Sequence, residues 1–285
     1  MIRFTQGFTT AALLTATAIG LGACGDDGVA SGAVQPQPTL MLAQSAKLGG
    51  SYLVDGAGRT LYLFAHDLPA GGGAPAQSGC LANPDPSKSC VAFWPIFHAD
   101  PLVVSGVNAG DVGVITRPDG LQQTTYKGFP LYTYVGDTAA GDTNGDASTG
   151  GGPVAVWFAV REPAYTVMTL TNASGTTRLI DGAGRTLYRF AQDTVGANPT
   201  SACTGVAGDR TTCLGNWPVF AADPIIVPTG IDVTRFAKVT RADGLAQLAF
   251  DGQPLYYFAD DKVPGDVLGL TFPPGLGFWF TVAPK

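Results

Sequence analysis

The sequence predicts a mainly β fold made of two tandem antiparallel repeat units, and three observations predict it. Composition is the first: 39 Gly and 21 Pro among 285 residues mark many turns between short strands. Internal repetition is the second, because Leu53–Asp67 (LVDGAGRTLYLFAHD) recurs as Leu179–Asp193 (LIDGAGRTLYRFAQD). The third is a smaller pattern, Tyr-x-aromatic-x-x-Asp, found at Tyr62/Phe64/Asp67, Tyr132/Tyr134/Asp137, Tyr188/Phe190/Asp193 and Tyr256/Phe258/Asp261. Residues i and i+2 of a strand share one face, so each Tyr and the aromatic after it line the same side of a sheet.

Bulk properties narrow the classes further. An apolar content of 45% with 10% aromatics is enough for a core and argues against global disorder. Charged side chains make up 13%, against the usual ~25%, and no sustained helical period appears, which excludes a coiled coil. The formal charge is −6 with no basic run. Nucleic acid is therefore a poor partner, since binding it needs clustered Lys and Arg.

Taken in order, residues 1–23 carry a cation at Arg3, an apolar and small-residue stretch, and Leu21-Gly22-Ala23 before Cys24, which reads as a secretory signal. The small-residue site followed directly by Cys resembles the bacterial lipoprotein signal, in which Cys24 becomes the acylated N-terminus. Several acyl chains make membrane attachment stable. Gly25 follows Cys24 where inner-membrane retention uses Asp, so the resemblance implies the outer membrane. Residues 24–46 are rich in Gly, Pro, Ser and Gln and read as a tether spanning on the order of 25 Å.

Repeat unit 1 is assigned to residues 47–162 and repeat unit 2 to 163–285. Trp94-Pro95, Asp100-Pro101, Arg117 to Gly120 and Gly128 to Tyr132 in the first reappear as Trp217-Pro218, Asp223-Pro224, Arg241 to Gly244 and Gly252 to Tyr256 in the second. Both copies end on a Trp-Phe pair, Trp157-Phe158 and Trp279-Phe280. Asp55-Gly56, Asp119-Gly120, Asp181-Gly182 and Asp243-Gly244 are hairpin signals. Two architectures fit: a pair of sandwich-like or barrel-like domains packed together, or four quarters around one axis as in a small propeller. The paired domains are the favoured arrangement.

Beyond Cys24 the cysteines are Cys80, Cys90, Cys203 and Cys213, with nine residues inside each pair and the same distance to a following Trp-Pro. Duplication makes pairing within each unit the simplest of three possibilities. Each bridge would contribute roughly 3 kcal/mol in the loop-entropy view, and export supplies an oxidising compartment. A redox pair or a metal site is the functional alternative, although the spacing lacks the close dithiol geometry of C-x-x-C.

Catalytic signatures are scarce. The two histidines, His66 and His98, face Gln192 and Ala221 in the other copy, so no histidine base is common to both units, and His66 reads as a surface imidazole. The four motif aspartates would be needed as a close pair with unlike pKa values for glycoside cleavage. Their recurrence in every quarter reads instead as a repeated turn cap. Asp142, Asn144 and Asp146 match the 1, 3, 5 oxygen positions of a calcium loop, but Ala147 and Pro153 stand where that loop needs Gly and Glu. A weak calcium site and a solvated Gly/Asp loop both remain open.

With the lipoprotein Cys, the four motifs and the Cys-x-x-x-Trp-Pro segments in view, residues from about 48 to 283 resemble the bacterial secreted-repeat lipoproteins of the Tyr-x-aromatic-x-x-Asp type. The resemblance implies an exported protein of unknown function, with no catalytic residues to carry over. The expected function is a lipid-anchored, non-enzymatic binding or structural module of the cell envelope. Its partners would be the membrane through the lipid, and an unidentified protein or glycan. A redox or metal-handling accessory is the alternative.

Overall fold

The computed structural model describes residues 37–272 and 278–284; the signal segment, Cys24 and most of the expected tether lie outside these residues. Within them the chain is mainly β, arranged in six small sheets, none of which closes into a barrel.

The first strands form the hairpin β1 (Leu40–Ser45) and β2 (Gly50–Asp55), with Leu40 opposite Asp55. Gly49, at φ +74°, takes the left-handed turn between them, a conformation that costs glycine nothing. After β3 (Tyr62–Phe64) the chain makes one helical turn, α1 (Cys90–Phe93), and the short β4 (Val104–Ser105), which runs parallel to β1. A meander follows: β5 (Val112–Thr116), β6 (Gln122–Tyr126) and β7 (Phe129–Pro130). β8 (Trp157–Ala159) returns to pair with β3, and β9 (Arg161–Glu162) pairs with β2.

The second copy repeats this plan. β10 (Val167–Thr171) and β11 (Thr177–Asp181) form its hairpin, followed by β12 (Tyr188–Phe190) and α2 (Cys213–Asn216). β13 (Phe236–Val239), β14 (Gln247–Phe250) and β15 (Gln253–Pro254) form the meander, and β16 (Trp279–Thr281) closes onto β12. The two halves of each unit also meet where Tyr62 bridges to Tyr132 and Tyr188 to Tyr256.

Two features depart from the sequence reading. Residues 40–45, expected in the tether, are β1; Leu40 is fully buried and the strand is held by β2 and β4. The polar, proline-rich stretch before it hid the apolar run that pairs. The break between units is also softer than two domains require, because Pro36–Lys285 clusters as a single unit. Every residue of β10 is buried. Val167 and Leu179 join one second-unit cluster, whereas Met168, Leu170 and Ile180 belong to the first unit's core. A strand buried on both faces is what a layer between two cores requires.

Candidate ligand cleft beside the aromatic column

The repeated motif exchanges partners across each unit. The Tyr62 hydroxyl donates to Asp137 Oδ2 at 2.6 Å, and Tyr188 donates to Asp261 Oδ2 at 2.7 Å. In the opposite direction Tyr256 donates to Asp193 Oδ2 at 2.8 Å. Each motif aspartate also accepts a backbone N–H through Oδ1, from Gly79, Asn144, Ala202 or Leu268. Burial pushes the carboxyls of Asp137, Asp193 and Asp261 above their ordinary range, while the tyrosine O–H and backbone N–H groups oppose the rise. Asp67, whose Oδ2 is buried without a partner, is pushed up to about 8 by burial, with the Gly79 N–H opposing. The tyrosines rise as well, desolvation being the largest cause, so they remain neutral donors.

Behind each disulfide sits an arginine whose role the sequence did not disclose. Arg117 donates to the Cys80 carbonyl at 2.8 Å and to Gln123 at 2.8 Å, and also reaches Ser78. Arg241 does the same to Cys203 at 3.0 Å and Gln247 at 2.9 Å. The one available signal was its recurrence ahead of each Asp-Gly turn. The bridges are Cys80–Cys90 and Cys203–Cys213, with Cα atoms 5.2 and 5.3 Å apart.

The motif's second aromatics build ring columns. In the first unit Phe64 stacks on Trp157 at 4.1 Å, Trp157 on Trp94 at 3.8 Å and Trp94 on Tyr134 at 4.3 Å. His66 extends the column, its ring 4.8 Å from that of Phe64. Tyr62 and Tyr132 meet the indoles edge-on. The second unit matches with Phe190 on Trp279 at 4.3 Å, Trp279 on Trp217 at 3.6 Å and Phe258 beside Trp217 at 4.6 Å. A glycine makes room at the same corner of both copies. A methyl on Gly145 would lie 2.7 Å from Trp94 and 2.9 Å from Tyr62, and one on Gly269 would lie 2.7 Å from Trp217 and 2.9 Å from Tyr188.

A cleft of about 780 Å³ opens along the first column, with Phe64, His66, Trp94, Tyr134 and Trp157 on its wall. Phe93, 47% exposed, stands in the same lining. Ser87, Lys88 and Ser89 border it on one side and Ser148 to Val156 on another, and the second unit closes it with Thr171, Gly175 and Thr177 of the β10–β11 hairpin and with Ala283 and Pro284. That volume is ordinary for a small-molecule site. His66, expected as a surface imidazole, is half-buried here, and burial lowers its pKa, so the ring is neutral at pH 7. Its counterpart Gln192 is exposed.

Other candidates are placed elsewhere. Asp142 accepts the N–H groups of Thr138 and Ala139, Asn144 donates to the Gly136 carbonyl, and Asp146 accepts the N–H of Ala159. The three side chains thus serve separate backbone groups, and no group of three His, Cys, Asp or Glu side chains lies close enough among the described residues to hold a metal. His98 is exposed.

No curated protein and no solved structure matches the chain. A family model described as a secreted repeat of unknown function matches residues 113–161, 168–221 and 237–283, together more than half of the sequence. These segments correspond to the second half of the first unit and to the two halves of the second, so the family's repeat is the half-unit that contributes one Tyr-Asp motif. By this match and by its motifs, the chain belongs to the family of secreted repeats of unknown function.

Proposed function

We propose that the chain is an exported, lipid-anchored, non-enzymatic module of the cell envelope, attached through Cys24, in the outer membrane, and that the cleft in the first repeat receives its ligand. One observation carries the binding reading: three of the four motif aspartates are tied to tyrosines and all four to backbone N–H groups, while an open, aromatic-walled cleft lies beside them with no acid among its described lining residues. Hydrolysis by paired carboxylates needs an acid in the cleft. The family's description as secreted agrees with export, and no helix among the described residues is long and apolar enough to cross a membrane.

Intact-mass analysis of the membrane-extracted protein, with and without reduction and alkylation, tests the anchor. An acylated Cys24 with two disulfides and no stoichiometric metal is expected. An unmodified mature chain refutes lipid attachment. Free thiols in either pair would turn attention to the redox or metal-handling alternative.

A further inference from the structure

We infer that the cleft of the first repeat is a receptor for a planar aromatic acid, whose ring lies against the rims of the aromatic column and whose carboxylate meets Lys88 and the hydroxyls beside it. The inference rests on the binding-module reading and supplies its ligand class.

The column itself argues for an aromatic ligand. Phe64 is covered on its two sides by His66 and Trp157, Trp157 by Phe64 and Trp94, and Trp94 by Trp157 and Tyr134. Rings whose faces are spent inside a stack present their edges to the cleft. Aromatic edges carry the positive end of the quadrupole and faces the negative end. A wall of edges therefore attracts the face of another aromatic ring, or an anion. A sugar would instead need open aromatic faces for its C–H groups; the stacking takes up those of Phe64, Trp157 and Trp94 and leaves Phe93 and Tyr134 as the lining rings that could offer one.

The polar lining points to the acid. Among the described lining residues there is no Asp or Glu, whereas Lys88 and several hydroxyls are present, in a chain with 22 acids against 16 bases. Ser89, Ser148 and Thr149 accept the backbone N–H groups of Asn83, Gly150 and Gly151. Each hydroxyl proton is then available to donate. Lys88 is held only by an ion pair with Asp85 at 3.3 Å, with the lysine side chain 74% exposed; such a surface pair is weak, so the ammonium is free to turn to a ligand carboxylate. The neutral imidazole of His66 adds a further donor at one end of the column.

Titration calorimetry on the detergent-solubilised full-length protein tests this with four probes: 2-naphthoate, its methyl ester, cyclohexanecarboxylate and diacetylchitobiose. We expect submillimolar binding of 2-naphthoate, at least tenfold weaker binding of the ester and of the non-aromatic acid, and loss of affinity as salt rises. His66→Gln, which installs the residue found in the second repeat, and Lys88→Gln should each weaken naphthoate binding at least fivefold, whereas Gln192→Ala should not. Thermal unfolding of each variant separates lost binding from lost folding. Equal binding of the ester overturns the acid, and equal binding of cyclohexanecarboxylate overturns the aromatic ring. Preferred binding of the disaccharide, weakened by His66→Gln, overturns the aromatic-acid ligand but keeps the cleft as a binding site. Silence from all four probes up to millimolar concentration overturns both.

Discussion

In the second repeat the Tyr256 hydroxyl meets both Ser201 Oγ at 2.7 Å and Asp193 Oδ2 at 2.8 Å; in the first, the equivalent Tyr132 keeps only the serine, Ser78 Oγ at 2.6 Å, and Asp67 Oδ2 is left without a partner. The change begins at the arginine. Arg117, whose side chain is fully buried, reaches Ser78 as well as Gln123, the Cys80 carbonyl and Asp119, and so shares that serine with Tyr132. Arg241 makes the matching contacts to Gln247, the Cys203 carbonyl and Asp243, while Tyr256 meets Ser201 and keeps its aspartate as well. A sequence pattern can thus be kept in full while one hydroxyl drops one of its two partners and leaves a buried carboxyl oxygen unsatisfied. The same repeat carries His66 and the cleft. The second copy therefore shows what the scaffold requires, and the first shows what has been added to it.

The sharpest way to separate the copies is Asp67→Asn. The folded carboxyl titrates at about 8 against an ordinary 3.8, so the folded state holds its proton more tightly than the unfolded one. Its contribution to stability is complete below about pH 4 and is lost as pH rises toward about 8, by several kcal/mol. Asparagine keeps the acceptor for the Gly79 N–H and never ionises. Denaturant unfolding of Asp67→Asn should show a flatter pH profile and a gain at pH 8, larger than that of Asp193→Asn, whose carboxyl is also raised by burial but is hydrogen-bonded by Tyr256.

Next in size come the column tryptophans. Trp157→Ala and Trp279→Ala should each cost about 3–5 kcal/mol, read as a fall in the unfolding midpoint; a markedly smaller loss at either site would mean that its column does not hold its repeat together. Replacing Cys203 and Cys213 together by serine should cost about 3 kcal/mol, and the Cys80/Cys90 pair the same, since both bridges close loops of equal length. Smallest is the tyrosine hydroxyl. Tyr256→Phe strips a buried carboxylate of its donor and should cost about 1–3 kcal/mol, against about 1 kcal/mol for Tyr132→Phe. Equal losses would erase the distinction drawn between the copies.

The duplication, the strand-rich class and the aromatic side of each motif were legible because they are written in local spacing: i and i+2 in a strand, and one segment recurring almost letter for letter. The Tyr-Asp exchange was not, because Tyr62 and Asp137 stand 75 residues apart and nothing local distinguishes a crosswise pair from a turn cap. The aspartates do accept backbone N–H groups, yet their other oxygens reach across the unit. The cleft was hidden for a related reason. It is assembled from the end of β3, the turn before α1, the 148–156 loop and the β10–β11 hairpin, and only His66 marked it, as a departure from its counterpart Gln192. At Asp142 to Asp146 the converse holds: spacing that matches a calcium loop places side chains that cap separate backbone groups.

Because β10 belongs to two cores at once, the repeats are interlocked in the order in which they leave the cell interior. A secreted chain emerges N-terminus first, and the first repeat lacks Met168, Leu170 and Ile180 of its core until the second has begun to follow. A copy that ends after β9 would carry an uncovered apolar face into solvent, where such faces aggregate. Duplication in this molecule therefore did more than add a second copy: it made the downstream repeat a folding partner for the one upstream, so that neither can be trimmed away as a spare.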